Sequence, residues 1–280
     1  MVWGPPMEPP VRRLPALVLP VAVLLGGCKA VDPAPRELDD LLHWFWQKYA
    51  DGTDEELAEG AVNLYDAVDA ANFEELSDGS ISDLDRDEAA LVGITDQDPA
   101  EAAGVYLVNV YDCTLPKLEP ILLHRDQATL YDGIYDRYER TYTASRDDFE
   151  GRASPTMTWD VEYEASLLGA AYTANLEGGL RYVPTLDDEL SPHGPVMLSR
   201  THLLEPVTYD GDSNKSQEQD YQVEIYLKQS SGRVLHVYGL WREADYGGTT
   251  NSDNEGVQRL LLNSLADWDA TTEQHCADGI

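Results

Sequence analysis

Basic residues are scarce in this chain of 280 residues, which has 19 Lys and Arg side chains against 52 Asp and Glu, a net charge of −33. A protein that binds nucleic acid needs a stripe of positive charge to neutralise phosphates, and the sequence has no such stripe. The composition therefore argues against a nucleic-acid partner.

Cysteine and long apolar runs are scarce as well. The three cysteines, Cys28, Cys113 and Cys276, are too few for a disulfide-dense scaffold. The apolar run at 14–25 has 12 residues, whereas a membrane-spanning helix needs about 20, so a polytopic membrane protein is excluded. Apolar residues still make up 42% of the chain, which is enough for a core and excludes disorder throughout.

The N-terminal segment has the parts of an export signal. Arg12 and Arg13 form a basic region, the apolar run follows, and Leu25-Gly26-Gly27-Cys28 ends it. These four residues resemble the lipobox of bacterial lipoproteins, in which small residues allow a signal peptidase to cleave before the cysteine. The resemblance implies a signal peptide at 1–27 and a Cys28 that carries acyl chains, palmitate among them, as a membrane anchor.

Residues 28–36 would then be a tether, and the protein would be exported and anchored to the cell envelope by lipid. Lys29 after the cysteine, in place of Asp, favours the outer membrane. Removing Arg12, Arg13 and Glu8 with the signal leaves 17 basic and 51 acidic side chains, so anionic headgroups would repel the domain. An ordinary cleaved signal and a chance cysteine are the alternatives.

Cys113 and Cys276 would be the thiols left in an oxidising compartment. Two such thiols are more often paired than free. The sequence therefore predicts a Cys113–Cys276 disulfide that ties the C-terminus down, with two free thiols as the alternative. No local motif marks either residue as a catalytic nucleophile.

The mature chain begins with two regions of different character. Residues 37–73 are predicted to form a helix pair, because apolar side chains recur at helical spacing and Thr53-Asp54-Glu55-Glu56 is a capping box. The aromatic cluster at 44–49 is expected to pack on the main domain, or else to bind a partner. Residues 74–103 are expected to be an acidic connector of solvated loops, whose acids do not match a calcium-binding EF-hand.

Residues 104–280 alternate between β-branched or aromatic runs and turns rich in Gly, Asp, Asn and Ser, the pattern of an antiparallel sheet. Ser230-Ser231-Gly232 marks a hairpin, and a long amphipathic helix follows to about Thr272. The predicted fold class is α+β: an antiparallel β-sheet packed on a long C-terminal helix and preceded by the N-terminal helix pair.

This order of elements, with a strand–turn–helix opening at 104–114, resembles the START-like (SRPBCC) superfamily, or helix-grip fold, from Gly104 to about His275. In that family a curved sheet wraps the last helix, and the space between them is often a pocket for lipids or other apolar ligands. The hydrophilic insert at 206–220 and the pair Gly178-Gly179 depart from this pattern. Another antiparallel sheet packed by helices is the alternative.

Alternation along the strands separates an inward from an outward side. Asp160, Glu162, Glu164 and Glu224 are expected to face solvent. The apolar residues between them, with one face of the last helix, would form either a filled core or the wall of a ligand pocket, which the sequence does not distinguish. The candidate pocket residues are Trp159, Val161, Tyr163, Ile225, Leu227, Val237, Trp241, Leu261, Leu265 and Trp268.

Common motifs of catalysis are missing from the sequence. It has no HExxH, no G-x-S-x-G, no G-x-G-x-x-G and no Walker A loop, so no catalytic residue, metal or cofactor is predicted and an enzyme is the least favoured class. The favoured hypothesis is a lipoprotein that binds an apolar small molecule or lipid without catalysis. The alternative is a structural lipoprotein of the cell envelope that binds a protein partner.

Overall fold

The computed structural model describes residue 1 and residues 33–70, 78–167, 169–184, 194–247 and 255–279. The predicted signal peptide, Cys28 and the tether as far as residue 32 lie outside the described residues. Pro33–Ile280 form one compact unit. An antiparallel sheet and the helices on its two faces make up this unit.

Nine strands are found in the described residues: β1 (Asp78–Ile81), β2 (Ala103–Tyr111), β3 (Arg137–Tyr142), β4 (Thr156–Leu167), β5 (Ala170–Val183), β6 (Val196–Leu203), β7 (Val207–Tyr209), β8 (Asp212–Lys228) and β9 (Val234–Asp245). Their order in the sheet is β1-β2-β9-β8-β6-β5-β4-β3, with β7 paired to β5 and β8. β2 thus lies beside the last strand, and Ala103 pairs with Arg242. The predicted hairpin at Ser230-Ser231-Gly232 joins β8 to β9.

Six α-helices accompany the sheet in the same residues: α1 (Leu38–Lys48), α2 (Asp54–Ala70), α3 (Arg86–Ala90), α4 (Leu115–Leu122), α5 (Arg146–Glu150) and α6 (Glu255–Asp278). α6 and α4 pack on one face of the sheet, and α1 and α2 pack on the other. The α+β class, the antiparallel sheet, the C-terminal helix and the N-terminal helix pair are therefore confirmed. No described helix has the length and apolar character that crossing a membrane requires.

The aromatic cluster of α1 is buried against the sheet. Trp46 is fully buried and Trp44 is 8% exposed, so these rings are not available as an exposed surface for a partner. The turn that leads into α2 has the predicted capping box, in which Thr53 and Glu56 exchange hydrogen bonds. The burial of α1 and the capping box before α2 are both as the predicted helix pair requires.

β5 supports the end of α1. Arg181 donates hydrogen bonds to the carbonyl oxygens of Tyr49 and Gly52, at 2.9 and 2.6 Å. Close by, a Cβ on Gly179 would lie 2.4 Å from the Tyr49 hydroxyl and 2.7 Å from the carbonyl oxygen of Met157. The absence of a side chain at this glycine therefore allows α1 to approach the sheet.

The region predicted as a connector of solvated loops contains regular structure. β1 pairs with β2, and α3 begins with a capping box in which Asp85 and Glu88 exchange hydrogen bonds. Glu88 is 4% exposed because it also accepts hydrogen bonds from His43 and Gln47 of α1. The expectation of a solvated loop is wrong here, since the hydrogen bonds and the charge of its partners offset the cost of burying this acidic side chain.

Cys113 and Cys276 form a disulfide, as the cysteine count predicts. Cys113 follows β2, and Cys276 lies near the end of α6, so the bond joins segments that are 163 residues apart in sequence. Both residues pack with the side chains of α4. The bond therefore fixes the C-terminal end of α6 to the segment that links β2 and α4.

Candidate functional site

A cavity lies between α6 and the face of the sheet that this helix covers, and its volume is about 210 Å³. A cavity of roughly 150 Å³ holds benzene in another protein, so on the same scale there is room here for about eight non-hydrogen atoms. Ser264, which is exposed on α6, is among the lining residues. The space, hereafter the α6 cavity, therefore reaches the surface beside the helix.

The walls of the α6 cavity are largely aromatic. Tyr138 stacks on Tyr163 with 6.3 Å between ring centroids, and Tyr135 meets Tyr163 edge-on at 5.3 Å. Aromatic rings offer a large apolar area and favour edge-to-face or offset contacts, so these walls suit a ring or a short chain. The aromatic lining residues are Tyr135, Tyr138, Trp159, Tyr163, Tyr172, Tyr226, Tyr238 and Trp268.

Six of the ten candidate pocket residues line the α6 cavity. They come from β4 and α6, and Asp160 and Glu162, which alternate with them in β4, are exposed as expected. Alternation distinguishes the two sides of β4 because the outer face of this strand is open to solvent. The six residues are Trp159, Val161, Tyr163, Leu261, Leu265 and Trp268.

The other four candidates, Ile225, Leu227, Val237 and Trp241, do not line it. They are fully buried on the opposite face of the sheet, where they pack with α1 and α2. The prediction is wrong for these four because helices cover both faces of β8 and β9. Apolar side chains on either face of these strands are buried, and burial alone does not show which face borders the cavity. Glu224, expected to face solvent, lines the cavity instead.

Glu224 belongs to a buried polar cluster centred on His236. The Tyr226 hydroxyl donates to Glu224, and Nε2 of His236 lies 3.5 Å from Oε2 of Glu224. On the other side of the imidazole, Nδ1 lies 2.6 Å from Oδ1 of Asp269, a residue of α6. Asp269 also accepts a hydrogen bond from the Tyr111 hydroxyl. The cluster thus joins β2, β8 and β9 to α6.

The imidazole is the cationic group of this cluster. Burial alone would lower the pKa of His236, but the charges and hydrogen bonds of Asp269 and Glu224 outweigh it and raise the pKa to about 9. Burial would raise the pKa of Asp269, but His236 and the hydrogen bonds from Tyr111 and Asn109 hold it below its usual value. At neutral pH the protonated imidazole is therefore hydrogen-bonded to Asp269, and its other nitrogen faces Glu224 at 3.5 Å.

Arg242 lines the cavity as half of a buried ion pair. Its Nε donates to Oδ2 of Asp220, which is 1% exposed. Gln217 and Gln222 also donate to this carboxylate. The Arg242–Asp220 pair therefore presents no net charge to a ligand.

Arg140 of β3 lines the cavity, and its hydrogen-bond partners there are uncharged. It is 6% exposed, and it donates hydrogen bonds to the carbonyl oxygen of Leu122 and to the hydroxyl of Tyr138. Its guanidinium carbon lies 4.1 Å from the centre of the Trp159 ring, a cation–π contact. The cavity wall thus contains a guanidinium group stacked on an aromatic ring.

No motif in the sequence marks Arg140 or the His236 cluster as part of a site. The sequence does contain a signal for the cluster. The apolar stripe of α1 must pack against one face of the sheet, and the apolar side of β8 forms part of that face. The polar side of β8 must then face α6. Among the described residues, no three His, Cys, Asp or Glu side chains converge to hold a metal ion, so the site offers shape, aromatic surface and placed charge.

The arrangement of sheet and C-terminal helix has counterparts among solved structures, although no protein-family model and no curated protein matches the chain. A START superfamily protein from Mycobacterium smegmatis is similar with a TM-score of 0.41 and 11% identity, over 62% of this chain and 97% of that chain. The human StarD13 (DLC2) lipid transfer and protein localization domain is similar with a TM-score of 0.39 and 11% identity, over 63% and 78%.

Proposed function

We propose that this protein binds a small apolar molecule in the α6 cavity without transforming it. The observation that carries the proposal is a space of about 210 Å³ walled by aromatic side chains. Protein interiors contain few voids larger than a water molecule, so a space of this size indicates a binding site. It suits a single ring or one short chain, and a whole diacyl lipid is several times too large.

The proposed setting is a bacterial cell envelope. Leu25-Gly26-Gly27-Cys28 supports a lipid anchor at Cys28, and the Cys113–Cys276 disulfide supports an oxidising compartment. An anchor near one end of the chain would hold the binding unit beside a membrane, where apolar molecules collect. The alternative of a partner surface on α1 has no supporting observation, because its aromatic cluster is buried.

Native mass spectrometry of segment 29–280, which contains the whole compact unit, tests the binding function. The protein would be purified from cells and measured before and after extraction with organic solvent. We expect an adduct of small-molecule mass that extraction removes. If no adduct is present and no ligand of one ring or one short chain raises the melting temperature, the binding function is wrong.

Filling the cavity provides a matched pair of variants. Ser199 of β6 is buried and lines the α6 cavity. Thr173 of the neighbouring strand β5 is exposed and does not line it. Ser199→Phe should remove the adduct and lower affinity for an added ligand at least tenfold, and Thr173→Phe should change neither. Equal binding by the two variants would place the ligand elsewhere.

The anchor is tested separately in the full-length chain. Cells would be labelled with an alkyne analogue of palmitate, and the protein would be located by membrane fractionation. We expect a labelled, membrane-bound protein and an unlabelled Cys28→Ala variant. A wild-type chain that takes up no label would contradict the anchor and leave the binding function standing.

A further inference from the structure

We infer, on the basis of the binding function proposed above, that the ligand of the α6 cavity carries a carboxylate and that Arg140 pairs with it. The remaining part of the ligand would be a ring or a short chain, in keeping with the volume and the aromatic walls. The ligand class is therefore a small monocarboxylate with about eight or nine non-hydrogen atoms.

The first observation is a buried charge without an opposite charge. Burying a guanidinium is costly unless it is paired, and Arg140 is among the buried residues of the chain. The chain has 52 acidic side chains. In the part that the structure describes, none of them has an oxygen within 4.0 Å of the Arg140 nitrogens. A carboxylate on the ligand would supply the missing charge.

The second observation concerns the hydrogen-bond donors of Arg140. Nη1 donates to Leu122 and Nη2 to Tyr138, whereas Nε is buried and has no partner among the described residues. Nε and Nη2 form an edge of the guanidinium that can bind both oxygens of one carboxylate. Nη2 has two hydrogens, and Tyr138 takes one of them. The edge therefore keeps at least the Nε hydrogen as a donor without a partner in the described residues.

The other charged groups of the cavity wall have opposite charges beside them. Arg242 is paired with Asp220, and Glu224 lies 3.5 Å from the protonated His236. Arg140 is therefore the arginine of the described wall that has no acidic side chain beside it. Trp159 stacks on the guanidinium and limits its rotation, so the ring orients the group before a ligand arrives.

Ligands of similar size that differ in charge test the inference on the unmodified segment 29–280. Benzoate, benzyl alcohol and benzylamine share one ring and are of the size that the cavity accepts. By isothermal titration calorimetry, benzoate should bind at least tenfold more tightly than benzyl alcohol, because charge-assisted hydrogen bonds add to the same apolar contacts. Benzylamine should bind most weakly, since Arg140 repels it.

The possible outcomes separate the inference from the binding function. If benzoate and benzyl alcohol bind equally, the cavity binds ligands but Arg140 does not select an anion, and the inference is wrong. If neither of them binds, and hexanoate and hexan-1-ol do not bind either, the binding function fails and the inference fails with it. Preference for benzylamine would also overturn the inference.

Variants of two arginines in β3 locate the effect. Arg137 pairs with Glu162 and Glu164 and does not line the cavity, so Arg137→Met removes the same charge from the same strand at a different place. Arg140→Met should weaken benzoate binding at least tenfold and change benzyl alcohol binding less than about twofold. Arg137→Met should change neither, and benzoate binding that survives in Arg140→Met would overturn the inference.

Arg140→Lys protects the test against a folding defect. It keeps the charge but loses the planar pair of donors, so benzoate affinity should lie between those of the wild type and Arg140→Met. If Arg140→Met does not fold, the lysine variant and the ligand series decide the question. A lysine variant with wild-type affinity for benzoate and for benzyl alcohol would show that the Nε and Nη2 edge is not used.

Discussion

His236 Nδ1 lies 2.6 Å from Asp269 Oδ1, and this contact joins β9 to α6. Both side chains are buried. The pair carries opposite charges at neutral pH because the pKa of His236 is raised and that of Asp269 is lowered. Since α6 is one wall of the cavity, the ion pair holds that wall against the sheet.

The free energy of unfolding should fall as the pH rises from about 6.5 to about 9. His236 titrates near 6.5 in the unfolded chain, and its pKa in the folded protein is about 9. The folded state binds the proton more tightly, so this stabilisation is complete below 6.5 and is lost as the pH rises through 9. The loss should be on the order of 3 kcal/mol, measured by urea unfolding across this range.

His236→Gln is the control for this pH dependence. His43 adds to the same slope, because Glu88 raises its pKa although burial lowers it. His202 acts on the acidic side: burial and Arg200 lower its pKa to about 4, so stability also falls as the pH drops from 6.5 towards 4. The glutamine variant should reduce the alkaline slope to the part that His43 contributes and should keep the acidic one. An unchanged alkaline slope would contradict the role of His236.

Loss of the Cys113–Cys276 disulfide should lower the free energy of unfolding by about 5 kcal/mol, the chain-entropy value for a loop of this length. Urea unfolding of a Cys113→Ser/Cys276→Ser variant would measure the loss. A reducing agent should lower the stability of the wild type to a similar extent and leave the variant unchanged. Equal stability of wild type and variant without reductant would count against a structural bond.

Gly179→Ala should destabilise the fold by about 1–3 kcal/mol, because the new Cβ would overlap the Tyr49 hydroxyl and the Met157 carbonyl oxygen. Tyr49→Phe should cost less than about 1 kcal/mol, since that hydroxyl is buried without a hydrogen-bond partner among the described residues. The double variant should therefore be more stable than the sum of the two changes predicts. Strict additivity in urea unfolding would rule out the contact.

Arg181→Met should lower the free energy of unfolding by about 2–3 kcal/mol, because the carbonyl oxygens of Tyr49 and Gly52 would lose a charged donor. Arg86→Met is the matched control: its side chain is 75% exposed and pairs with Asp98 at the surface. That variant should lose less than about 1 kcal/mol. Similar losses in the two variants would mean that Arg181 does not hold α1 in place.

The sequence predicted the parts of the fold in which one side of an element meets solvent. β4 is such a case: Trp159 and Val161 face the cavity, and Asp160 between them is exposed. The disulfide was predictable for a different reason, since a lipidated Cys28 would leave two thiols.

β8 could not be oriented in the same way, because helices cover both of its faces. Ile225 packs against α1 and α2, and its neighbours Glu224 and Tyr226 line the cavity. Alternation shows that two faces differ but does not show which helix covers each. Arg140 was equally hidden, since whether an arginine in an edge strand is paired depends on residues distant in sequence.

The pairing of β2 with β9 has a consequence for the rate of folding. Ala103 to Tyr111 pair with Val234 to Arg242, so most of the sheet lies between the two strands in sequence. Contacts between distant segments form slowly, because the loop between them must first be closed. β1 and β2 therefore have no place in the sheet until β9 has been synthesised. We expect the sheet to be completed slowly, and only after β9 has joined the strands that precede it.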